Sequence, residues 1–255
     1  MHAARDPGNP RWHRLAHLVG TRRGTLEELA ALVHQARITH VPAPPDDAPQ
    51  DAVARIAALF DHAVAQAPEA SVAACSFGDP ALLDMATAEL VRWLEREALI
   101  APGAEVLDLG CRIGRVTAAL APRCASVLGL DISLGMVEEA RRRHAGLPNL
   151  RFAVTSGTDL AGLPESALDL VLAVDSFPYL FQAGREVAER HVADAARLLR
   201  RGGALAILNL SYRADAEADR TDAQRWAARH GFALVHCGDR PFTLRDGRAF
   251  VLRRT

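Results

Sequence analysis

Through the first hundred residues apolar side chains recur at intervals of three and four, and after Pro102 they gather into short aliphatic runs. The first texture predicts helices. Leu15, Leu18 and Val19, then Leu26, Leu29, Leu32 and Val33, mark two short amphipathic helices, with Thr25 and Glu28 spaced as a capping box at the start of the second. Residues 41–49, Val-Pro-Ala-Pro-Pro-Asp-Asp-Ala-Pro, read as a linker, because proline removes backbone donors and restricts the residue before it. Val53, Ile56, Ala57, Leu59, Phe60 and Val64 predict a helix over 51–67, and Leu82, Leu83, Leu90, Val91 and Leu94 another over 80–98.

The second texture predicts strands at 104–109, 126–131, 150–154, 168–174 and 203–210, with helices at 114–121, 133–145, 185–200 and 215–230 between and after them. Two further strands, 231–237 and 247–253, lie close enough in sequence to form a terminal hairpin. Strand and helix in alternation indicate a parallel sheet. The expected architecture is therefore α/β, with a seven-stranded, mostly parallel sheet and an antiparallel C-terminal strand over residues 99–255, preceded by a helical N-terminal extension or cap over 1–98. Ligands of such sheets sit outside the carboxyl ends of the strands, so the loop after the first strand is where chemistry is expected.

That loop reads Asp108-Leu109-Gly110-Cys111-Arg112-Ile113-Gly114, a buried strand running into a glycine turn and then a helix. Glycine permits close backbone approach, and a helix N-terminus offers free N–H groups to a nucleotide-like ligand. A dinucleotide fingerprint would need glycine at 110, 112 and 115, and only Gly110 fits. The second strand ends at Asp131, 23 residues after Asp108, where a carboxylate can accept both hydroxyls of a ribose. Ser133 suits the N-cap of the helix that follows.

Asp108, Gly110 and Gly114 resemble motif I of the Class I, Rossmann-like methyltransferases that depend on S-adenosylmethionine (SAM), and Gly129-Leu130-Asp131-Ile132-Ser133 resembles the same family's second motif. Thr158-Asp159-Leu160 before Leu163-Pro164, and Leu199-Arg200-Arg201-Gly202-Gly203 before the fifth strand, agree in position, so the resemblance covers roughly residues 76–254. It implies a Rossmann-like methyltransferase sheet and SAM as cofactor. It also implies cofactor contacts from Asp108, Gly110, Cys111, Arg112, Gly114, Asp131, Ile132, Asp159, Leu160 and Asp175, with Asp159 accepting from the adenine amino group, the adjacent Leu160 N–H reaching a ring nitrogen and Ile132 lying against the adenine face. Asp169, at the start of its strand, reads as structural.

Arg112 departs from the family, which has glycine there. Three readings stay open: the side chain points outward, its guanidinium binds the SAM carboxylate, a geometry arginine favours, or SAM binding is weakened. SAM carries an already activated methyl, so the protein mainly aligns a nucleophile and excludes water, with a base needed only where the acceptor is protonated. Asp175, Ser176 and Tyr179, which interrupt an apolar stretch at the end of the fourth strand, are the candidate catalytic residues. Ser176-Phe177-Pro178-Tyr179 is similar to the (Asn/Asp/Ser)-Pro-Pro-aromatic motif of amino-group methyltransferases, with Phe at the second position. Asn209, Ser211, Tyr212 and Arg213 form a second polar set at the end of the fifth strand, and Phe77, before the helix at 80–98, is expected to wall the cofactor.

Composition narrows the chemistry further. All 30 basic residues are arginine, so without a partner's amine there is no pyridoxal Schiff base, no imine-forming aldolase and no P-loop lysine. A net charge of -1 in 255 residues gives no general attraction to nucleic acid or anionic lipid. Arg141-Arg142-Arg143 reads as a solvated helix end that offsets the dipole. Cys75, Cys111, Cys124 and Cys237 are dispersed, and His13 with His17 lacks a third ligand, so no metal is expected. With no signal-peptide or membrane-spanning run, the expectation is a cytoplasmic methyltransferase acting on N or O of a small-molecule acceptor, with neither nucleic acid nor membrane as partner and a homodimer left open. Two alternatives stand beside it: an enzyme that cyclises SAM or moves its aminocarboxypropyl arm, and a non-catalytic SAM-binding partner subunit.

Overall fold

The computed structural model describes residues 48–66, 68, 80–245 and 247–255. The two helices expected within 15–33, the capping box of Thr25 and Glu28, the His13–His17 pair, Cys75 and Phe77 lie outside the described residues. Helix α1 spans Pro49–Gln66 and α2 Pro80–Arg96. They are followed by β1 (Glu105–Leu109), α3 (Arg115–Leu120), β2 (Ser126–Asp131), α4 (Leu134–Arg143), β3 (Leu150–Val154), β4 (Leu168–Val174), α5 (Phe177–Ala183), α6 (Arg185–Leu198), β5 (Leu199–Leu208), α7 (Ala216–His230), β6 (Phe232–Asp239) and β7 (Ala249–Arg254).

The strands form one sheet in the order β3-β2-β1-β4-β5-β7-β6, parallel from β3 through β5, with β7 antiparallel to both of its neighbours. Residue parity sorts the side chains between the two faces. On β4, Leu170, Leu172 and Val174 join Leu90, Trp93 and Leu94 of α2 in one core layer. Val171 and Ala173 face the other way, into a layer with Val187, Val192 and Ala195 of α6, Trp226 of α7, and Ala52, Val53 and Ile56 of α1. Both faces of the central strands are covered, which is why those strands read as unbroken aliphatic runs.

Three differences from the sequence expectation have physical causes. The 80–96 helix covers a sheet face through Leu90, Val91, Trp93 and Leu94, while its first turn meets the loop after β1 through Leu83 and Ile113; of the described N-terminal elements, α1 is the one that lines the cleft at the carboxyl edge. A short helix, α5, follows β4 where no helix was expected, and it tolerates Pro178 because proline in a first turn removes an N–H that has no helical partner anyway. Strand β5 begins at Leu199, not 203: Leu199 pairs with Leu168, and the ladder resumes at Ala204 opposite Leu170 across a bulge containing Gly202, at φ 83.

Candidate functional site

The turn from β1 into α3 is left-handed at Gly110 (φ 79), Arg112 (φ 52) and Gly114 (φ 78). A Cβ on Gly110 would stand 2.5 Å from that of Ser176, and one on Gly114 would stand 2.8 Å from the Phe152 ring, so both sites exclude side chains. The N–H groups of Gly110 and Cys111 donate to the Leu130 carbonyl at 2.7 and 3.0 Å, and that of Arg112 to Asp131 Oδ2 at 2.8 Å. Asp131 Oδ1 accepts from the Ser133 N–H at 3.0 Å, which leaves each carboxylate oxygen a further lone pair. Asp131 is 6% exposed, and burial pushes its carboxyl above the usual range against the pull of these N–H donors.

A cleft of ≈ 510 Å³, counting its open mouth, lies at this carboxyl edge. Its floor is Leu109, Gly110 and Arg112 after β1, Asp131 and Ile132 after β2, and Thr155 and Gly157 after β3. Asp175, Ser176, Tyr179 and Leu180 close one side, Ile56 and Phe60 of α1 cover it, and His191 reaches it from α6. Helix α1 is anchored there by Asp61, whose Oδ1 accepts from the Ser133 hydroxyl at 2.5 Å and the Gly135 N–H at 2.9 Å. The volume suits a cofactor-sized ligand.

Arg112 does not point outward. Its side chain lines the cleft with the guanidinium 5.4 Å from the centroid of the Phe60 ring, and among the described residues it makes no ion pair. Burial opposes its charge, but Tyr179, Asp175, Tyr212 and Asp131 around it hold its pKa above the ordinary value. Tyr179 stands edge-on between Phe60 and Tyr212, at centroid distances of 5.1 and 6.1 Å. The Ser176 hydroxyl is buried and, among the described residues, has no hydrogen-bond partner.

Asp175, at φ 56, is held at both oxygens: Asn209 Nδ2 donates to Oδ1 at 2.5 Å and Arg245 Nη2 to Oδ2 at 2.6 Å. It lines the cleft with each oxygen bonded once and, like Asp131, with a further lone pair on each. Of the second polar set, Asn209 is thus part of this brace. Ser211 and Arg213 turn away to Asp219, with Arg213 also pairing with Asp222.

Several expected cofactor contacts stand outside the cleft wall. Asp108, 2% exposed, falls on the face of β1 under α3, accepts from the Thr117 hydroxyl at 2.7 Å, and is pushed by burial to a pKa of about 6. Cys111 packs with Phe152 and Val137, and burial and nearby Asp108 and Asp131 raise its thiol pKa well up. Gly114 serves the packing of Phe152. Asp159 turns onto its own loop, accepting from the Ala161 N–H at 3.2 Å and the Thr158 hydroxyl at 3.3 Å. The Leu160 N–H donates to Asp194 Oδ2 at 2.8 Å while its side chain is buried in the core, so the donor expected to meet a purine nitrogen is spoken for. Arg141, exposed at its helix end, also donates its guanidinium to the Phe152 carbonyl.

Residues that the sequence did not single out complete the site. Ile56 and Phe60 carried only a helical core pattern, Arg245 sits 70 residues from the carboxylate it holds, and His191 lies within an amphipathic helix. His191 is 1% exposed; its Nδ1 is 2.9 Å from the Val187 carbonyl, and its Nε2 is buried without a partner. Burial lowers its pKa. An unpaired guanidinium, a carboxylate with lone pairs to spare and an orphaned imidazole nitrogen fit a ligand bearing a carboxylate, vicinal hydroxyls and a further donor. Among the described residues no group of side chains could hold a metal ion, and no helix is long and apolar enough to cross a membrane.

Residues 107–207 match the family model described as a methyltransferase domain. Over 136 residues the chain is 31% identical to an S-adenosyl-L-methionine-dependent Diels-Alderase of Talaromyces variabilis, covering 52% of this chain and 44% of the other. Over 115 residues it is 34% identical to a demethylmenaquinone methyltransferase of Tropheryma whipplei, 44% of each chain. It therefore spans less than half the length of these curated relatives. Among solved structures, phosphoethanolamine N-methyltransferase 1 of Haemonchus contortus, bound to phosphoethanolamine and S-adenosylhomocysteine, superposes with a TM-score of 0.59 at 17% identity over 80% of this chain and 48% of that one, a likeness of fold.

Proposed function

We propose that this chain is a Class I, Rossmann-like SAM-dependent methyltransferase, that its cleft binds SAM and that it transfers the methyl group to N or O of a small-molecule acceptor. The observation that carries this reading is the cleft itself, which sets Asp131, the unpaired Arg112 and the Phe60–Tyr179 wall side by side at the carboxyl edge of the sheet. Asp131 takes the ribose hydroxyls through its two remaining lone pairs, Ile132 lies against the adenine, and Arg112 takes the methionine carboxylate. When bound, SAM supplies an activated methyl on a sulfonium. Asp175, held in place by Asn209 and Arg245, then stands as a positioned carboxylate near that positive charge. Ser176 and Tyr179 hold hydroxyls for the acceptor, and the aromatic faces exclude water from it. Residues 1–98 contribute the cap through α1, and residues 99–255 form the SAM-binding domain.

Incubation with SAM and a panel of amine, carboxylate and phenol acceptors tests this reading: S-adenosylhomocysteine must accumulate with a methylated product. Arg112 in the glycine position, together with a relative named as a Diels-Alderase, favours a second reading in which SAM is bound and its methyl kept. Turnover of a substrate without loss of SAM would support that second reading. Release of 5'-methylthioadenosine would instead mark use of the aminocarboxypropyl arm.

A further inference from the structure

We propose that His191, through a bare Nε2, is the hydrogen-bond acceptor that reads the 6-amino group of the cofactor's adenine. This rests on the SAM-binding reading above and assigns a residue that the family resemblance does not.

The tautomer is fixed by geometry. Nδ1 lies 2.9 Å from the Val187 carbonyl, an acceptor only, so Nδ1 carries the proton and Nε2 of the neutral ring is an acceptor. That atom is buried with no partner, in a residue 1% exposed that lines the cleft. A buried polar atom left unpaired costs free energy, and native structures tend to supply the missing partner, here from a ligand. The ligand must therefore bring a donor.

The donor's identity follows from where His191 sits. The cleft has two ends with different neighbours. Arg112 lies over the Phe60 ring of α1, whereas His191 stands one turn before Asp194 on α6, the helix whose Asp194 and Arg197 bind the loop after β3. His191 is thus beside the loop after β3, the loop that with Ile132 forms the purine end. There, Asp194 takes the Leu160 N–H at 2.8 Å, and Arg197 binds the Leu163 and Leu160 carbonyls at 2.9 and 3.0 Å. This pinning fixes Gly157 in the wall and leaves Asp159 bonded to its own loop. Among the described residues, the buried acceptor at that end with no partner at all is His191 Nε2, and the donor that adenine presents is its amino group.

Two ligands and three proteins test the assignment by calorimetry, with no turnover needed. The ligands are S-adenosylhomocysteine and its analogue whose purine carries hydrogen in place of the 6-amino group. Wild type should prefer the amino ligand by about tenfold, the scale on which one satisfied buried acceptor changes an affinity. His191→Phe should abolish that preference, while His191→Gln, which keeps an acceptor, should retain most of it; thermal melts check that each variant is folded. Equal affinity of wild type for the two ligands overturns the assignment whether or not the variants fold, and so does a preference that survives in His191→Phe. Loss of turnover in His191→Phe with the ligand preference intact would place the residue at the acceptor and also overturn it. If wild type binds neither ligand, the SAM-binding reading fails, and the proposal fails with it.

Discussion

Replacing Arg112 by glycine separates what this residue does for the fold from what it does for the ligand. At φ 52 an L-residue carries a strain of about 1–2 kcal/mol that glycine does not. Glycine in turn loses about 0.5–1 kcal/mol through the greater freedom of the unfolded chain, and the cation–π contact with Phe60, worth about 0.5–2 kcal/mol, disappears. These contributions nearly cancel, so Arg112→Gly should leave stability within about 1 kcal/mol of wild type, a shift of only about 2–4 °C in Tm for a domain of this size. Binding should respond differently. Loss of a hydrogen-bonded charge contact costs about 1.5–3 kcal/mol, which is roughly 10- to 150-fold in affinity. Calorimetry with S-adenosylhomocysteine measures the loss, and an analogue lacking the carboxylate should bind wild type and variant equally. Arg112→Ala should weaken binding to the same degree but melt lower, because alanine keeps the left-handed strain. Unchanged or tighter binding by Arg112→Gly would show that the guanidinium occupies cofactor space, and would refute the carboxylate assignment.

Four further outcomes follow from the same geometry. Asp131→Ala should weaken S-adenosylhomocysteine binding by about 1.5–3 kcal/mol, and unchanged affinity in a titration removes it from the ribose. Tyr179→Phe should lower kcat more than it raises the SAM dissociation constant if its hydroxyl meets the acceptor as proposed; equal changes in steady-state and binding assays would count against that. Asp108 has a folded pKa of about 6, above the 3.8 of an unperturbed carboxyl, so the stability linked to its protonated form is complete below pH 3.8 and is lost as pH rises through 6. Asp108→Asn should therefore gain on wild type by up to about 3 kcal/mol between pH 4 and 7 in denaturant titrations, and a pH-independent difference sinks the linkage. Asp175→Asn should destabilise by about 3–5 kcal/mol because it leaves Arg245, 8% exposed, an unpaired buried cation; adding Arg245→Met should recover most of that in thermal melts, and no recovery would mean that the pair is not coupled.

The sheet was legible because its strands are buried on both faces and the ligand loop combines glycines with acidic strand ends, two local signals. Both α5 and the early start of β5 escaped because Pro178 and Gly202–Gly203 look like breaks in sequence, whereas in the fold the proline sits where no N–H is required and the glycines form a bulge within a ladder. At the site, Asp131 and Ile132 were readable from their strand end, and Tyr179 from its interruption of an apolar run. The Asp175 brace was not, since Asn209 and Arg245 come from loops 34 and 70 residues away. His191 was equally hidden: its helical spacing matches that of Val187, Val192 and Ala195, and what distinguishes it from them is a nitrogen left unmet in three dimensions.

The substitution of arginine into a glycine turn is compatible with this cleft because the cation arrives with its surroundings already arranged. The left-handed backbone that glycine would adopt is retained at φ 52, so the Arg112 N–H still reaches Asp131 and the loop keeps its path. The guanidinium lies against the ring of Phe60, a residue of α1, and α1 is itself tied to the N-terminus of α4 through Asp61. Arg112 and Arg245 are balanced by Asp131 and Asp175, so the side-chain charges nearly cancel at this end of the cleft. A ligand that brings a carboxylate to Arg112 offsets one positive charge in that balance, which favours positive groups elsewhere in the same molecule. On this account the arginine tightens the fit for a zwitterionic cofactor arm, and α1, through Phe60, holds it in register.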